Sequence, residues 1–281
     1  MNRNAIARLV IYSIITAILI GVLVTGLDWN GFDWDLGSAD QSVTGTASVD
    51  AASIKRICIE WVDGTVDVRT AQQDTITFSE TNGDKLCMVY SFKGDTLVIR
   101  YSKESLKLGI NIKTLDKHLT VHVPEGWIAE DIEVTAVSAN VTIDLPEARE
   151  TEIETVSGDI SIRYERSGEI SLTTVSGQTA FEGSCDDLDC NSVSGDYNIT
   201  LSGSAKEINM ESISGDLEIV LDSQSGFTAQ LDSVSGHIRS TFPTNVSGNT
   251  HTYGDGSMRI EAETVSGNIQ IKEVASFSIA D

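Results

Sequence analysis

The chain has 281 residues, of which 40% are hydrophobic, so it can build one large domain with a packed core or two small ones. All 42 acidic residues and 17 of the 19 basic residues follow Leu27, which gives this part of the chain a net charge of −25. Such a charge disfavours binding to nucleic acid and anionic lipid headgroups and favours cations or basic partners, although acidity can also serve solubility alone.

The first predicted element is a membrane-spanning helix. Leu9 to Leu27 is a run of nineteen residues without a charge, which is long enough to cross a bilayer. Arg3 and Arg8 precede the run, and basic flanks stay in the cytoplasm. The alternative is a cleaved signal peptide with a small-residue site at residues 24–26. We expect a single-pass protein of the cell membrane with an extracellular C-terminal domain, divided into a cytoplasmic tip (residues 1–8), a helix (9–27) and a polar tether (28–50).

Residues 51–130 predict an N-terminal β cap. Residues 57–68 already fit the repeat pattern of the later chain, which is compatible with an opening coil. Residues 86–91 and 96–101 read as two strands around the turn Lys93-Gly94-Asp95, and a further strand covers residues 119–123. Such a segment in front of a repeat array is suited to cover its open end.

An internal repeat dominates residues 131–281. The motif Ser/Thr-Val/Ile-Ser-Gly occurs six times, and a degenerate copy, Val137-Ser138-Ala139-Asn140, lies one period before the first. Successive motif glycines are 19, 18, 20, 21 and 31 residues apart. Repetition at this period is typical of stacked repeat folds. The motif glycines are Gly158, Gly177, Gly195, Gly215, Gly236 and Gly267.

The repeats align into apolar columns when they are placed on the motif glycine. Residues seven and five positions before it, and two and four positions after it, are mostly apolar, and the residues between them are polar. Each coil therefore consists of two short strands. The alternation changes parity between the strands, so we interpret the motif as a corner at which glycine supplies backbone freedom. In the central coil we expect Met210 and Ile213 to point inward.

These columns predict a stacked architecture. One coil of about 20 residues cannot bury its apolar stripe alone, whereas stacking at about 4.8 Å forms a continuous core. We expect an all-β, right-handed parallel β-solenoid, because crossovers between parallel strands are almost always right-handed. An antiparallel meander could share the period, but it would need turn signals of equal strength at both ends of every strand, and the second turn of each repeat is irregular.

The sequence also resembles a known bacterial family. The segment Ile-x-Ile-x-Trp-Val-Asp-Gly-Thr-Val-Asp-Val at residues 57–68, the segment Leu-Thr-Val-His-Val-Pro-Glu-Gly at residues 119–126, and the repeated Val-Ser-Gly-Asp-Ile-x-Ile are similar to those of the "putative adhesin" β-strand-repeat family. The resemblance covers about residues 50–272 and implies a parallel β-solenoid in the bacterial envelope. It implies no catalytic residue, because that family has no agreed active site.

Candidate catalytic and metal-binding residues are few. The six motif serines lie in no Gly-x-Ser-x-Gly elbow, and a ladder of hydroxyls between coils explains them better than a nucleophile does. His118 and His122 lie about 13 Å apart on a strand and cannot share a metal ion. We therefore predict no enzyme, no cofactor and no metal site. For one polar column the sequence leaves two roles open, which are Ca²⁺ binding and capping of backbone N–H groups. Its members are Asn140, Asp159, Gln178, Asp196, Asp216, His237 and Asn268.

The four cysteines permit disulfides in an exported protein. Cys190 lies in an inward column, and Cys185 lies in the adjoining turn, so we favour free thiols for this pair. A bridge between Cys58 and Cys87 is left open.

Function must then reside on the surface. We expect a non-enzymatic, adhesin-like structural or interaction module, with the membrane bound through the N-terminal helix and an envelope polymer, a basic peptide or a protein as partner. The alternatives are an accessory component of an envelope stress-response or regulatory system and, by fold analogy alone, a polysaccharide-acting enzyme. Residues 243–257 exceed the repeat and predict an exposed loop that leaves the coil, with His251 and Tyr253 as contact groups.

Overall fold

The structure is a computed structural model that describes residues 41–43, 45–81, 87–101, 116–203 and 205–274. The predicted membrane helix at residues 9–27 lies outside these ranges, as does the tether up to residue 40. Within the part of the chain that the structure describes, no helix has the length and apolar character needed to span a bilayer.

Almost all of the described backbone is β-strand, which confirms the all-β class. A 3₁₀ turn covers Ala51–Ser53. The N-terminal strands are β1 (Gln41–Ser42), β2 (Thr46–Asp50), β3 (Arg56–Ala71), β4 (Thr75–Thr81), β5 (Val89–Lys93), β6 (Thr96–Arg100) and β7 (His118–Pro124). The remaining strands are β8 (Asp131–Ser157), β9 (Ile160–Leu201), β10 (Glu207–Ser214), β11 (Leu217–Leu221), β12 (Phe227–Ser233), β13 (Ile238–Ser240), β14 (Asn245–Ser247), β15 (Thr250–Tyr253), β16 (Met258–Ser266) and β17 (Ile269–Glu273).

The central strands stack in parallel, one coil on the next. In β8 and β9, Val141 pairs with Ile160, nineteen residues later. Strand β9 pairs in the same way with β10, where Asp187 lies beside Glu207. Strand β3 also pairs in parallel with β8 over almost its whole length. These pairings confirm the parallel solenoid, contradict the antiparallel meander for the central coils, and make β3 the opening coil that its sequence indicated.

The C-terminal coils are not stacked in sequence order. Ile260 of β16 pairs with Ile208 of β10 on one side and with Ala229 of β12 on the other. Ile269 of β17 pairs with Leu217 of β11 and with Ile238 of β13. The last coil in the sequence is therefore inserted between the two coils that precede it.

The N-terminal coils show the same kind of transposition. Strand β3 pairs on one side with β8 and on the other with the later strands β6 and β7. Ile57 lies beside Leu97, and Val66 lies beside Leu119. The second coil in the sequence thus lies outside the first.

Antiparallel strands cover both ends of the stack. At the N-terminal end, β5 pairs with β6 and β1 with β5, while β4 pairs with β7 and β2 with β4. At the C-terminal end, β15 pairs with β12, and β14 pairs with β15. A change from parallel to antiparallel pairing ends the repeat and covers edges that could otherwise recruit another chain.

The core follows the predicted apolar columns. Every residue seven or five positions before a motif glycine is buried, and Thr151 is among them. The columns after the glycine are buried as well, except for Ile238 and Ser240, which are half-buried. Both belong to β13, the end strand, whose single partner among the described strands is β17.

Candidate interaction surface

The corner motif places its four residues in four different environments. Thr155 is buried, Val156 is half-buried and turned outward, and Ser157 is exposed. Gly158 packs so closely on the preceding coil that an added Cβ would overlap the carbonyl oxygen of Ala139. Glycine is thus required here for close packing between coils, and the freedom of its backbone is secondary.

The expectation that Ile213 points inward is wrong. Ile213 is half-buried at the outer corner, whereas its neighbour Ser212 is fully buried. The Ser212 hydroxyl is 2.9 Å from the hydroxyl of Ser192 in the adjacent coil, and the hydroxyl of Ser138 donates to the carbonyl of Val62 at 3.1 Å. These contacts form part of the expected ladder of hydroxyls between coils, but the ladder is incomplete, because the buried hydroxyl of Thr155 has no hydrogen-bond partner among the described residues.

The outward side of the first strand in each coil forms a surface that we name the acidic face. It consists of the residues eight, six and four positions before each corner glycine, or before its equivalents Gly64 and Ala139. Its two arginines, Arg56 and Arg259, belong to coils near the ends, so no basic residue of the face interrupts its middle coils. Arg100 of the neighbouring strand β6 is buried and pairs with Glu60 of the face at 3.2 Å. Its carboxylates are Glu60, Asp131, Glu133, Glu150, Glu152, Glu154, Glu169, Asp187, Asp189, Glu207, Glu211, Asp232, Glu261 and Glu263.

Four carboxyls of the acidic face have raised pKa values: Asp131, Glu133, Glu154 and Glu211. Burial, reinforced by the charge of Glu152, raises the pKa of Glu154 above its ordinary value. Burial also raises the pKa of Glu211, and the charges of Glu263 and Asp189 add to the effect. Like charges held close by stacked strands repel one another, and a bound cation would relieve that repulsion.

The motif valines form a second outward feature, which we name the corner ridge. In stacking order, the side chains of its first five coils are half-buried. The last two, Val265 and Val234, are 38% and 67% exposed. The ridge borders the acidic face directly along the chain. Sequence reasoning missed it because apolar residues were taken as core, although the parity change at the motif indicates that one of them must face outward. Its members are Val137, Val156, Val175, Val193, Ile213, Val265 and Val234.

The polar column on the other side of the corner is a structural ladder. Side-chain oxygens of Asn140 and Asp159 accept the backbone N–H groups of Asp159 and Gln178, each at 2.9 Å. The ladder continues in the transposed coil order. The backbone N–H of Asn268 donates to the side-chain oxygen of Asp216 at 2.8 Å, and the backbone N–H of His237 donates to the side-chain oxygen of Asn268 at 3.2 Å. The capping alternative is therefore confirmed. Among the described residues, no group of three His, Cys, Asp or Glu side chains could hold a metal ion.

The histidine pair and the cysteines offer no reactive centre. Nδ1 of His118 lies 3.0 Å from the Thr65 hydroxyl. All four cysteines are free, so the Cys58–Cys87 bridge that the sequence left open is not formed. Burial raises the pKa of Cys185 to about 12 and that of Cys190 well above the ordinary value of a thiol, so both thiols are protonated at neutral pH and unreactive.

Residues 243–257 form a hairpin of the C-terminal cap, so the expectation of a loop is wrong, although residues 245–249 are exposed as expected. Strands β14 and β15 form a hairpin, and β15 pairs with β12. The ring of Tyr253 lies 4.7 Å from that of Phe242 and 5.8 Å from that of Phe227, and its hydroxyl donates to the carbonyl of Ser223 at 3.2 Å. Nδ1 of His251 is 3.3 Å from the Thr244 hydroxyl. Both candidate contact residues are half-buried, and a role for them in recognition stays a prediction.

The outer side of the second strands differs from the acidic face. It carries a shallow depression of about 320 Å³ in which Arg69, Asp144, Arg163 and Glu182 take part. Arg163 and Glu182 form an ion pair at 3.0 Å, and each side chain is more than half exposed. Acid and arginine are thus adjacent, as a polysaccharide-acting enzyme would require. Solvated, ion-paired side chains nevertheless lack the burial that normally tunes catalytic groups.

The chain matches one protein family over most of its length. Residues 37–272 match the Toastrack DUF4097 family, and the chain is a member of it. None of the curated proteins matches the chain.

Several solved structures are similar over most of their length. A putative adhesin from Bacteroides fragilis NCTC 9343 is 14% identical, with 82% of this chain and 96% of that chain covered and a TM-score of 0.49. A putative cell adhesion protein from Clostridium sporogenes ATCC 15579 is 16% identical, with 84% and 99% covered and a TM-score of 0.35. A putative lipid binding protein from Parabacteroides distasonis ATCC 8503 is 16% identical, with 84% and 97% covered and a TM-score of 0.41.

Proposed function

We propose that this protein is a non-enzymatic interaction module of the cell surface that binds cationic partners on its acidic face. Residues 9–27 would anchor it as a single-pass membrane protein, with the N-terminus in the cytoplasm and a right-handed solenoid outside. The observation that carries the proposal is the uninterrupted acidity of the middle coils, from Asp131 to Glu211. A basic peptide, a basic protein or a cationic envelope polymer has the complementary charge.

The solenoid suits this task because it fixes the positions of the carboxylates. Strand pairing holds the side chains of one column about 4.8 Å apart on a flat surface, so their fields add over several coils. A flexible acidic tail would lose conformational entropy on binding, and this rigid face avoids most of that cost. The same charge would steer a basic partner toward the face before contact, and added salt would weaken this attraction.

Binding of a lysine–serine repeat peptide tests the proposal. The full-length protein would be placed in nanodiscs of neutral lipid, and binding would be followed by fluorescence anisotropy at low and high NaCl. The triple variant Glu150→Gln, Glu152→Gln, Glu154→Gln should bind about 3- to 150-fold more weakly, because exposed charge pairs contribute roughly 0.2–1 kcal/mol each. We expect high salt to abolish most of the binding.

A charge-matched control separates the acidic face from the total charge. The triple variant Asp144→Asn, Glu182→Gln, Glu218→Gln removes the same three charges from the outer side of the second strands. It should bind the peptide nearly as well as the unmodified protein. Equal weakening in both triple variants would show that net charge alone attracts the peptide and that the acidic face is not a binding surface.

A further inference from the structure

We propose that the cationic partner is an amphipathic helix whose aliphatic stripe packs along the corner ridge; this inference rests on the proposed function. The ridge presents one Val or Ile at each of seven consecutive coils, and none of these side chains is fully buried. Val137 at one end also packs against the core, whereas Val265 and Val234 at the other end are exposed. A β-branched residue at a strand end favours extended backbone, but threonine would do the same without exposing an aliphatic side chain. An aliphatic line of this length on an otherwise polar surface is typical of a contact surface.

The two sides of the ridge give it charge complementarity to such a helix. On one side lie the residues four positions before the corner glycine, including Glu154, Glu211 and Glu263. On the other side lies the polar ladder, including Asp159 and Asp196, whose residues are exposed. Four of the seven residues of the first rim and three of the seven residues of the second are acidic, and the others are neutral polar residues and His237. An apolar line between two partly acidic rims matches a helix whose aliphatic stripe is flanked by Lys and Arg on both sides.

The spacing of the ridge favours a helix over an extended segment. Its side chains are about 4.8 Å apart, which is the distance between stacked strands. A helix repeats its stripe about every 5.4 Å, so over four intervals the mismatch is only about 2.4 Å. An extended segment repeats a face about every 6.8 Å, and its mismatch over the same four intervals is about 8 Å. A helix of about four turns can therefore stay in register with five coils.

Other occupants fit the ridge less well. A second copy of this chain would bring an identical pair of acidic rims against the first, and like charges across an interface are unfavourable. A bilayer of anionic lipid would be repelled by the same rims. A helix without basic residues would leave the carboxylates beside the ridge desolvated and unpaired.

The test compares two peptides that have identical composition. One is an eighteen-residue leucine–lysine peptide with a helical leucine stripe, and the other is its scrambled isomer without a stripe. We expect the full-length protein in neutral nanodiscs to bind the striped peptide at least about tenfold more tightly, since several leucine side chains would be buried against the ridge. Equal affinities would overturn the inference, and this comparison needs no variant.

Substitutions on the ridge locate the site. The triple variant Val156→Thr, Val175→Thr, Val193→Thr keeps the side-chain shape and the β preference, and it should lose most of the preference for the striped peptide. The control Val220→Thr changes a half-buried valine on the outer side of the second strands and should keep the preference. Preference retained by the ridge variant would also overturn the inference.

The outcomes separate this inference from the proposed function. If the ridge variant binds the lysine–serine peptide normally but has lost its preference for the striped peptide, both are supported. If the unmodified protein binds the lysine–serine peptide on the acidic face but does not distinguish the leucine–lysine isomers, the proposed function stands and the helix inference falls. If no peptide binds, both fall. Circular dichroism and thermal unfolding of each variant show whether its fold is intact.

Discussion

At three of the six corner glycines the short distance between coils is by itself the reason for glycine, whereas Gly177 and Gly215 also have positive φ values of 143° and 154°. At Gly158, Gly236 and Gly267 the backbone torsions are ones that other residues adopt, yet an added Cβ would overlap the carbonyl oxygen of the neighbouring corner in each case. Gly248 in the β14–β15 turn is the opposite case. It has a φ of 64° and no atom within 4 Å of an added Cβ. Two physical reasons for glycine are therefore present in one chain and can be separated by experiment.

Alanine substitutions should distinguish these two reasons. Gly158→Ala forces two coils apart or bends the corner, and such overpacking costs roughly 1–3 kcal/mol or more. Gly248→Ala meets no neighbour and should cost only about 1 kcal/mol of backbone strain. The measurement is the free energy of unfolding from urea titrations of both variants. A cost at Gly158 that is no larger than the cost at Gly248 would contradict the close-packing explanation.

The core residues of the strands could be predicted from sequence, but the corner could not. In the strands, polar and apolar residues alternate, so Met210 was placed correctly in the core by its column. At the corner, hydrophobicity gives the wrong answer, because Ser212 is inside and Ile213 is outside. The buried hydroxyl of Ser212 is paired with that of Ser192. A hydrophobicity scale rates each residue separately and so cannot show this pairing. The acidic face and the corner ridge follow from this geometry, so only the overall acidity was visible beforehand.

At the scale of elements, the repeat predicted that coils stack but not the order in which they stack. All motif copies have nearly the same columns, so β16 matches β10 as well as it matches β12. The spacing of 31 residues between Gly236 and Gly267 was the available signal, and it was interpreted as a loop. The extra residues instead form the β14–β15 hairpin, which covers β12 and lets the chain return to an inner position.

The transposed coil gives the hairpin a structural role that can be measured. Tyr253, which ends strand β15 of the cap, packs against the rings of Phe227 and Phe242. Tyr253→Ala should therefore destabilise the protein by about 2 kcal/mol, whereas Tyr253→Phe removes only the hydrogen bond to Ser223 and should cost about 1 kcal/mol or less. Thermal unfolding of both variants is the measurement. If Tyr253→Ala melted like the unmodified protein, β15 would not be an integral part of the cap.

At the scale of the whole molecule, stacking and charge oppose each other. Parallel pairing places equivalent residues of successive coils side by side, so acidic residues of one column repel one another. Burial raises the pKa of Glu133, and the charge of Glu152 raises it further in this way. The buried columns on the inner side of the same strands supply the apolar contacts that offset this repulsion. The carboxylates with raised pKa values therefore carry their charge at a cost to the stability of the fold.

This opposition predicts an unusual dependence of stability on pH. Asp131, Glu154 and Glu211 have pKa values that burial and neighbouring carboxylates raise above the ordinary 3.8 for Asp and 4.5 for Glu. As the pH falls from 7 through these raised values, the folded protein takes up protons before the unfolded chain does, so the free energy of unfolding increases. This gain in stability is complete when the pH is below the ordinary pKa values of the unfolded chain. It is lost again as the pH rises through the raised pKa values of the folded protein. We therefore expect the Tm to rise as the pH is lowered from 7 toward 5.

The double variant Glu154→Gln, Glu211→Gln provides the control for this prediction. It lacks two of the carboxyls that resist ionisation, so it should be more stable than the unmodified protein at pH 7 and should gain less on acidification. The comparison belongs above about pH 4.5, because hydrogen bonds involving Ser257 lower the pKa of Asp255, and a carboxyl of that kind loses stability on further acidification. A Tm that fell steadily from pH 7 to pH 5 in the unmodified protein would mean that the carboxylates of the acidic face are stabilised by partners rather than strained by one another. The face would then already be neutralised within the fold, and a cationic ligand would gain nothing from relieving its repulsion.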